Sequence, residues 1–445
     1  MLNKKTYEKR FEKLIQLLSS DELLPYARQN NNNTFSRIRK MPLKDILLCC
    51  LAKKGLTTDM ELRKYFKEKN EISIKISKQG YLQQRKRLNP NVFSYLNKEY
   101  LYDFYHSKEP KLWNGFLLLA IDGSKMEIPN SKENRELFGE TSNKYLENTQ
   151  TRALVSGIYD VLNGFYLNIE IAHICVSETE LAKKNIKHLK DLHLVQPVLI
   201  LFDRGYPSIE FIDYLEAEGI QYLFRLSSND YKKEREDMDS LDQFVTLQHT
   251  YPRLVKIKKR HPERFTWMKE KHETHTRISN ITLPSGKNLT LMTSLSNSTS
   301  KEELQELYCQ RWEIEKKYHT LKNKLKLESV TGKSSIYVYQ DFYAQVLVYN
   351  MVQDIRHSAN LSINVNTTKK YRKYPMHTNE NIAIGLLKDS MIQIFLERSR
   401  RKREKLILIL QQEIEMYLLP IRKMPCHERK KNFSNKYKNN QKSSF

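Results

Sequence analysis

Glycine is scarce in this chain. Only 12 of its 445 residues are Gly, under half the usual share of about 7%, so a glycine beside a motif carries information. Cysteine is scarcer. The five (Cys49, Cys50, Cys175, Cys309, Cys426) form no CxxC pair, which argues against a disulfide framework or a structural zinc site and makes a reducing interior the expectation. Long apolar runs are missing as well. The longest, Phe116 to Ile121 and Leu406 to Leu410, fall far short of the ~20 residues that span a bilayer, so no membrane partner is expected. The start, MLNKKTYEKRFEKL, has no apolar h-region and no small-residue cleavage site, so no signal peptide is expected.

Positive charge is abundant. Lys plus Arg is 76 and Asp plus Glu is 52, a formal net charge of +24. A fold does not need that excess. It attracts polyanions over a long range and moves the expectation towards nucleic acid. An apolar share of 39% argues against full disorder, and the length suits two to four domains.

Residues 1–110 read as helical. Phe11, Leu14, Ile15 and Leu18 recur at helical spacing, as do Leu43, Ile46, Leu47 and Cys50. Gln29 to Asn33 is a polar break. SKQGYLQQRKRL is a basic helix that Ser77 can cap. Its Gln83, Arg85 and Arg87 suit phosphates and base edges, although a solvated basic helix accounts for the same composition. From about 113 the texture changes. GFLLLAID and VLILFD are apolar runs too short for typical helices, hence strands buried on both faces. ALVSGIYDVLNGFYLNIEIAHI reads as a hairpin turning at Asn163-Gly164. ETELAKKNIKHLKDL and SIEFIDYLEAEG read as helices, and QYLFRLS as a strand. The order predicts a mixed α/β sheet. Residues 228–288 are charged, with short strand-like pieces such as LVKIKK and RISNITL, and read as a β-rich insertion. LTLMTSL then resumes the sheet. Thr299 to Lys326 is expected as one long helix capped by Thr299 or Ser300. Further helices are expected at about 336–357, 381–398 and 402–418, before a basic, polar tail from Pro420.

Two acids occupy matching places. Asp122 follows FLLLAI and precedes Gly123-Ser124. Asp203 follows VLILF and precedes Arg204-Gly205. An unpaired carboxylate inside an apolar strand costs several kcal/mol. At a strand's C-terminal end it can emerge into a crevice, where open α/β sheets place ligands. Two such strands side by side bring two carboxylates within reach of one divalent cation. A turn-starting Asp explains either residue alone, but less easily both. The long helix offers a third acid. At 100° per residue, Tyr308, Arg311, Glu315 and Lys322 fall within a stripe of about 60°. Alone, such a stripe reads as a solvated face. Turned towards two Asp residues, it becomes a metal ligand among phosphate binders. Glu313 lies on another side.

The spacing Tyr308-x2-Arg311-x3-Glu315-x6-Lys322 resembles the Tyr-Arg-Glu-Lys signature of DDE transposases in the insertion-sequence-four family. DGS at Asp122 and DRGY at Asp203 resemble that family's first and second acidic motifs. SKQGYLQQRKRLNPNVF resembles its N-terminal helical region, and PIRKMPCHERK a basic segment near its C-terminus. The resemblance implies an α/β fold: an RNase H-like mixed-sheet catalytic core (111–227 and 289–358) interrupted by the β-rich insertion (228–288), with a helical N-terminal DNA-binding domain (1–110) and a helical C-terminal region with a disordered basic tail (359–445). It further implies that Asp122, Asp203 and Glu315 are catalytic and hold two Mg2+ ions, with Mn2+ as a substitute. Tyr308, Arg311 and Lys322 would grip phosphates near the cleaved end. The partners implied are double-stranded DNA, both element ends and target, and a second copy of the chain in a synaptic complex. The setting implied is the bacterial cytoplasm, at the nucleoid.

Two other readings compete. One is an RNase H-like nuclease that cuts without joining. The other is a transposase-derived DNA-binding protein, which would normally have lost an acid. Gly332-Lys333-Ser334 mimics the end of a P-loop, but Leu327 stands at the first glycine position. Trp267 in the insertion reads as a core or surface residue sooner than as a base-stacking one.

Overall fold

The computed structural model describes residues 6–421 except 31–32, 38, 74, 144–145, 284–285 and 368–373. The basic tail from 422, with most of PIRKMPCHERK, lies outside the described residues. The chain builds one nine-stranded sheet. Its strands are β1 (Leu117–Glu127), β2 (Glu140–Asn143), β3 (Leu146–Asp160), β4 (Tyr166–His173), β5 (Val198–Phe202), β6 (Gln221–Arg225), β7 (Asp242–Gln248), β8 (Glu273–Thr282) and β9 (Asn288–Thr293). Their order is β2-β3-β1-β5-β6-β9-β8-β7, with β4 also on β3. β1, β5 and β6 run parallel, and the other pairs are antiparallel. The sheet is therefore mixed, as expected.

The apolar runs become its middle. Leu117 to Ile121 and Leu199 to Phe202 are fully buried, because strands covered on both faces bury every side chain rather than alternate ones. The expected hairpin joins β3 to β4. Gly164 takes φ +81°, which a side chain would resist, and the Asp160 carboxylate accepts from the N–H groups of Leu162 and Asn163.

The segment 228–288 departs from expectation. It holds β7 and β8, but LVKIKK lies within a helix, Tyr251–Arg260, and a second helix, Pro262–Lys271, follows. β-Branched residues suggested a strand. However, Leu254 and Ile257 are buried three positions apart while Lys258, Lys259 and Arg260 are exposed. That is a helical period, and each helix begins with a proline in its first turn, where no N–H is missed. The segment is mixed α/β, and β7 and β8 extend the main sheet through β9.

The N-terminal helices Thr6–Leu17, Leu43–Leu51 and Asn91–Tyr105 pack with the long helix Ser335–Thr367. Helices Glu380–Leu396 and Arg400–Met416 complete that bundle, close to the expected spans. Buried ion pairs cross it: Arg10 to Asp354 at 2.6 Å, Lys53 to Asp341 at 2.9 Å and Arg85 to Asp341 at 2.8 Å. Among the described residues no helix is long and apolar enough to cross a membrane.

Candidate active site

β1 and β5 run parallel with Ala120 beside Leu201, so two residues further on Asp122 and Asp203 stand next to each other. The expectation placed both at strand ends. Asp203 does follow the last residue of β5, but β1 continues through Asp122 to Glu127, paired to β3. Asp122 emerges because β1 loses its β5 neighbour there, not because the strand stops. Opposite it on β3 is Gly157. A Cβ there would lie 3.1 Å from the Tyr318 hydroxyl, which uses that space to donate to the Asp122 carbonyl at 2.8 Å.

The third acid arrives on a helix that starts as predicted. Ser300 caps it with a reciprocal capping box to Glu303. The single helix expected over 299–326 is instead three pieces: Lys301–Gln310, Trp312–His319 and a π-helical turn Thr320–Lys324. The chain tightens at Arg311, whose N–H bonds the Tyr308 carbonyl three residues back, and loosens at Leu325, which reaches five back to Thr320. A uniform 100° wheel therefore cannot hold along its whole length.

The first three members of the stripe converge all the same. The Tyr308 hydroxyl donates to Asp203 Oδ1 at 2.8 Å. Arg311, only 5% exposed, forks between Asp122 Oδ2 at 3.2 Å and Glu315 Oε1 at 2.8 Å. Lys322 stands apart from that fork. Its ammonium bonds Ser124 Oγ at 2.7 Å and the Lys125 carbonyl at 2.6 Å, two and three residues along β1 from Asp122. Lys324 turns to Glu380 instead, at 3.3 Å. Glu313 pairs with Lys316.

Environment separates the two aspartates. Burial pushes the Asp122 carboxyl up to about 6, against the pull of Arg311 and the Gly123 N–H. Burial also acts on Asp203, but Arg311, the Tyr308 hydroxyl and the Arg204 N–H outweigh it and hold that carboxyl below the usual range. Burial lifts the Tyr308 phenol to about 12, so it stays a donor. The donor set of hard carboxylate oxygens, without sulfur or imidazole, suits Mg2+ or Mn2+. Among the described residues no three such groups stand close enough to share an ion. A guanidinium bridges two of them instead.

On the N-terminal helix Lys78–Arg85, Ser77 caps as expected by accepting from the Gly80 N–H. Gln83 and Arg87 are exposed. Arg85, expected on DNA, is 1% exposed and bound to Asp341 and Gln340. It is a packing residue, because its face of the helix is covered by Ser335–Thr367. Arg87 instead lines an open polar cavity of about 590 Å3 with Gln29, Arg37, Arg39, Gln84 and Lys86. Sequence reasoning passed over Tyr318.

Residues 113–351, more than half of the chain, match the family described as Transposase DDE domain. The chain belongs to the DDE transposases, enzymes that cleave and join DNA. It is 23% identical over 354 residues to the transposase InsG for insertion sequence element IS4 of Escherichia coli (strain K12), an overlap of 75% of this chain and 74% of that protein. That similarity agrees with the insertion-sequence-four resemblance of its motifs. A piggyBac transposase in a synaptic complex with hairpin DNA aligns over 91% of this chain and 84% of its own, at 12% identity and a TM-score of 0.45.

Proposed function

We propose that this transposase binds the terminal inverted repeats of a bacterial insertion sequence, hydrolyses the phosphodiester at each end and joins the freed 3′-hydroxyl to target DNA. The sheet is read as an RNase H-like core and residues 1–110 as the DNA-recognising region. Two copies of the chain hold two ends. The observation that carries the reading is Arg311 forked between Asp122 and Glu315 while Tyr308 holds Asp203, all at the place where β1 and β5 part.

Asp122, Asp203 and Glu315 are the residues that would hold two Mg2+ ions, or Mn2+, which supply activation of the attacking hydroxyl and neutralise charge on the leaving oxygen. The protein's own groups set the geometry. Tyr308 orients Asp203. Arg311 exchanges its two carboxylates for a phosphate, a planar partner of the same geometry. Lys322, in the turn Thr320–Lys324 and bonded to β1 just past Asp122, adds a point charge next to the scissile bond. It cannot be a metal ligand, because an ammonium has no lone pair. One phosphodiester replaces another, so no nucleotide cofactor is required.

The test follows labelled element ends with a second duplex present. Free 3′-hydroxyl ends and a joined product are expected, with no DNA left attached to denatured protein. Cut ends that never join would support the nuclease reading, and protein-linked DNA would overturn the mechanism. Lys322→Ala is expected to weaken binding to the cleaved end roughly 10- to 150-fold, the equivalent of a charge-assisted contact of ~1.5–3 kcal/mol. The salt dependence should shrink by about one phosphate. Lys324→Ala should do much less. Equal losses in a filter-binding titration would mean that this turn is only a basic surface.

A further inference from the structure

Gly123 and Gly205 follow the two aspartates, one directly and one after Arg204. In a chain this poor in glycine they call for a reason. Backbone conformation is not it, since neither takes a positive φ, and within a strand such as β1 a glycine weakens the element. Space is a better reason. A Cβ on Gly123 would lie 2.6 Å from Glu178 Oε1, and one on Gly205 would lie 3.6 Å from Glu178 Oε2. The Glu178 carboxylate thus lies against Gly123, where a methyl group would push it aside, and at ordinary contact distance from the Gly205 position.

Glu178 has no hydrogen-bond or ion-pair partner among the described residues. A place in the first turn of a helix favours an acid through the helix dipole, and that alone would explain an exposed Glu. It does not explain why Gly123, inside a strand, leaves room for this carboxylate. A second group faces the same region. Tyr206 is 1% exposed, and its ring is fixed against Phe202 and Phe211. Its hydroxyl is buried without any partner, and the charges acting on it are those of Glu178 first and Asp122 next. Buried phenols are normally hydrogen-bonded. An orphan hydroxyl and an unpaired carboxylate beside one site point to something that enters it.

We infer that Glu178 is a fourth acid of the active site and takes a share of a divalent cation next to Asp203, with Gly123 kept small to admit it. The inference rests on the reading of Asp122, Asp203 and Glu315 as cation-holding acids. The buried, unpartnered Tyr206 hydroxyl stands beside the same acids. Glu180, two residues on in the same helix, pairs instead with Lys183 and His261 and serves as the control.

The experiment titrates the full-length protein with Mn2+, read by the loss of the free-ion electron paramagnetic resonance signal. Melting curves of each variant accompany it. Glu178→Gln is expected to weaken Mn2+ binding about 10- to 100-fold, at least the effect of disturbing a ligand's support, with little change in melting. Gly123→Ala should weaken it in the same direction by crowding the carboxylate. Glu180→Gln should bind as the wild type does. Unchanged binding by Glu178→Gln, with binding lost in Asp122→Asn, would overturn the role of Glu178 and leave the three-acid site standing. Unchanged binding by both variants, or none by the wild type, would overturn the three-acid reading and the fourth acid with it.

Discussion

Alanine at Asp122, Asp203 or Glu315 is expected to take strand cleavage and joining below detection while binding of the element's ends persists. On the proposed reading the chemistry needs the charge of all three acids together. Losing the several kcal/mol that a metal site contributes to a phosphoryl transition state corresponds to a loss of about 10^3-fold or more. The isosteric variants sharpen the test. Asp203→Asn keeps an acceptor for the Tyr308 hydroxyl and loses only charge, so it should be as inactive as Asp203→Ala. Asp122→Asn separates lost chemistry from lost structure. Burial holds its carboxyl at about 6, above the unfolded value of about 4. A group raised in this way favours the protonated fold, and it burdens stability once pH passes the folded value. Neutral Asn removes that burden at pH 7, so the melting temperature should not fall even as cleavage vanishes. A gel assay on labelled ends decides. Normal cleavage by any one of the three alanine variants would remove that residue from the site.

The second large effect falls on stability. Arg85→Ala is expected to destabilise the fold by roughly 3–5 kcal/mol, the usual result of leaving half of a buried ion pair. Asp341, fully buried, would keep Lys53 and two bonds from Thr331 but lose the guanidinium, and Gln340 would lose its donor. Burial and Lys53 pull the Asp341 carboxyl in opposite directions, and with Arg85 added it stays far below the usual range. That charge is thus present at all ordinary pH and has to be matched. Urea unfolding measures the loss. Arg87→Ala, two residues on and exposed, should leave stability within about 0.5 kcal/mol and weaken DNA binding by about one phosphate's salt dependence. If Arg85→Ala instead unfolded like the wild type and bound DNA poorly, Arg85 would return to the DNA-binding face.

The contrast between these two arginines marks a limit of sequence reading. Both occur in the same basic stretch, three turns of composition that suits phosphates. Nothing within ten residues distinguishes the one that packs from the one that faces solvent. Asp341, which decides the matter, lies 256 residues away. Expression of residues 1–110 alone would strand Arg10 and Arg85 without Asp354 and Asp341, so recognition is better tested in the full chain.

What the sequence determined by itself are features that neighbours along the chain set. The runs LLLAI and VLILF are too short for typical helices and read as strands covered on both faces. Asn163-Gly164 turns a hairpin because glycine accepts a positive φ. Ser77 and Ser300 cap helices with their own hydroxyls, and Tyr308, Arg311 and Glu315 come within one turn or two of each other. The adjacency of Asp122 and Asp203 followed from two like strands and needed only parallel pairing. The tertiary structure alone decided the rest: that Asp122 lies mid-strand where β5 ends, that the helix tightens at Arg311 and widens before Leu325, that Val255 and Ile257 sit in a helix, that Arg85 is buried, and that Glu178 lies against Gly123. Each of these depends on what packs against the residue from another part of the chain. Local propensities amount to a few tenths of a kcal/mol per residue, and burial or a buried charge pair to several times that. Where the two compete, the distant contact prevails.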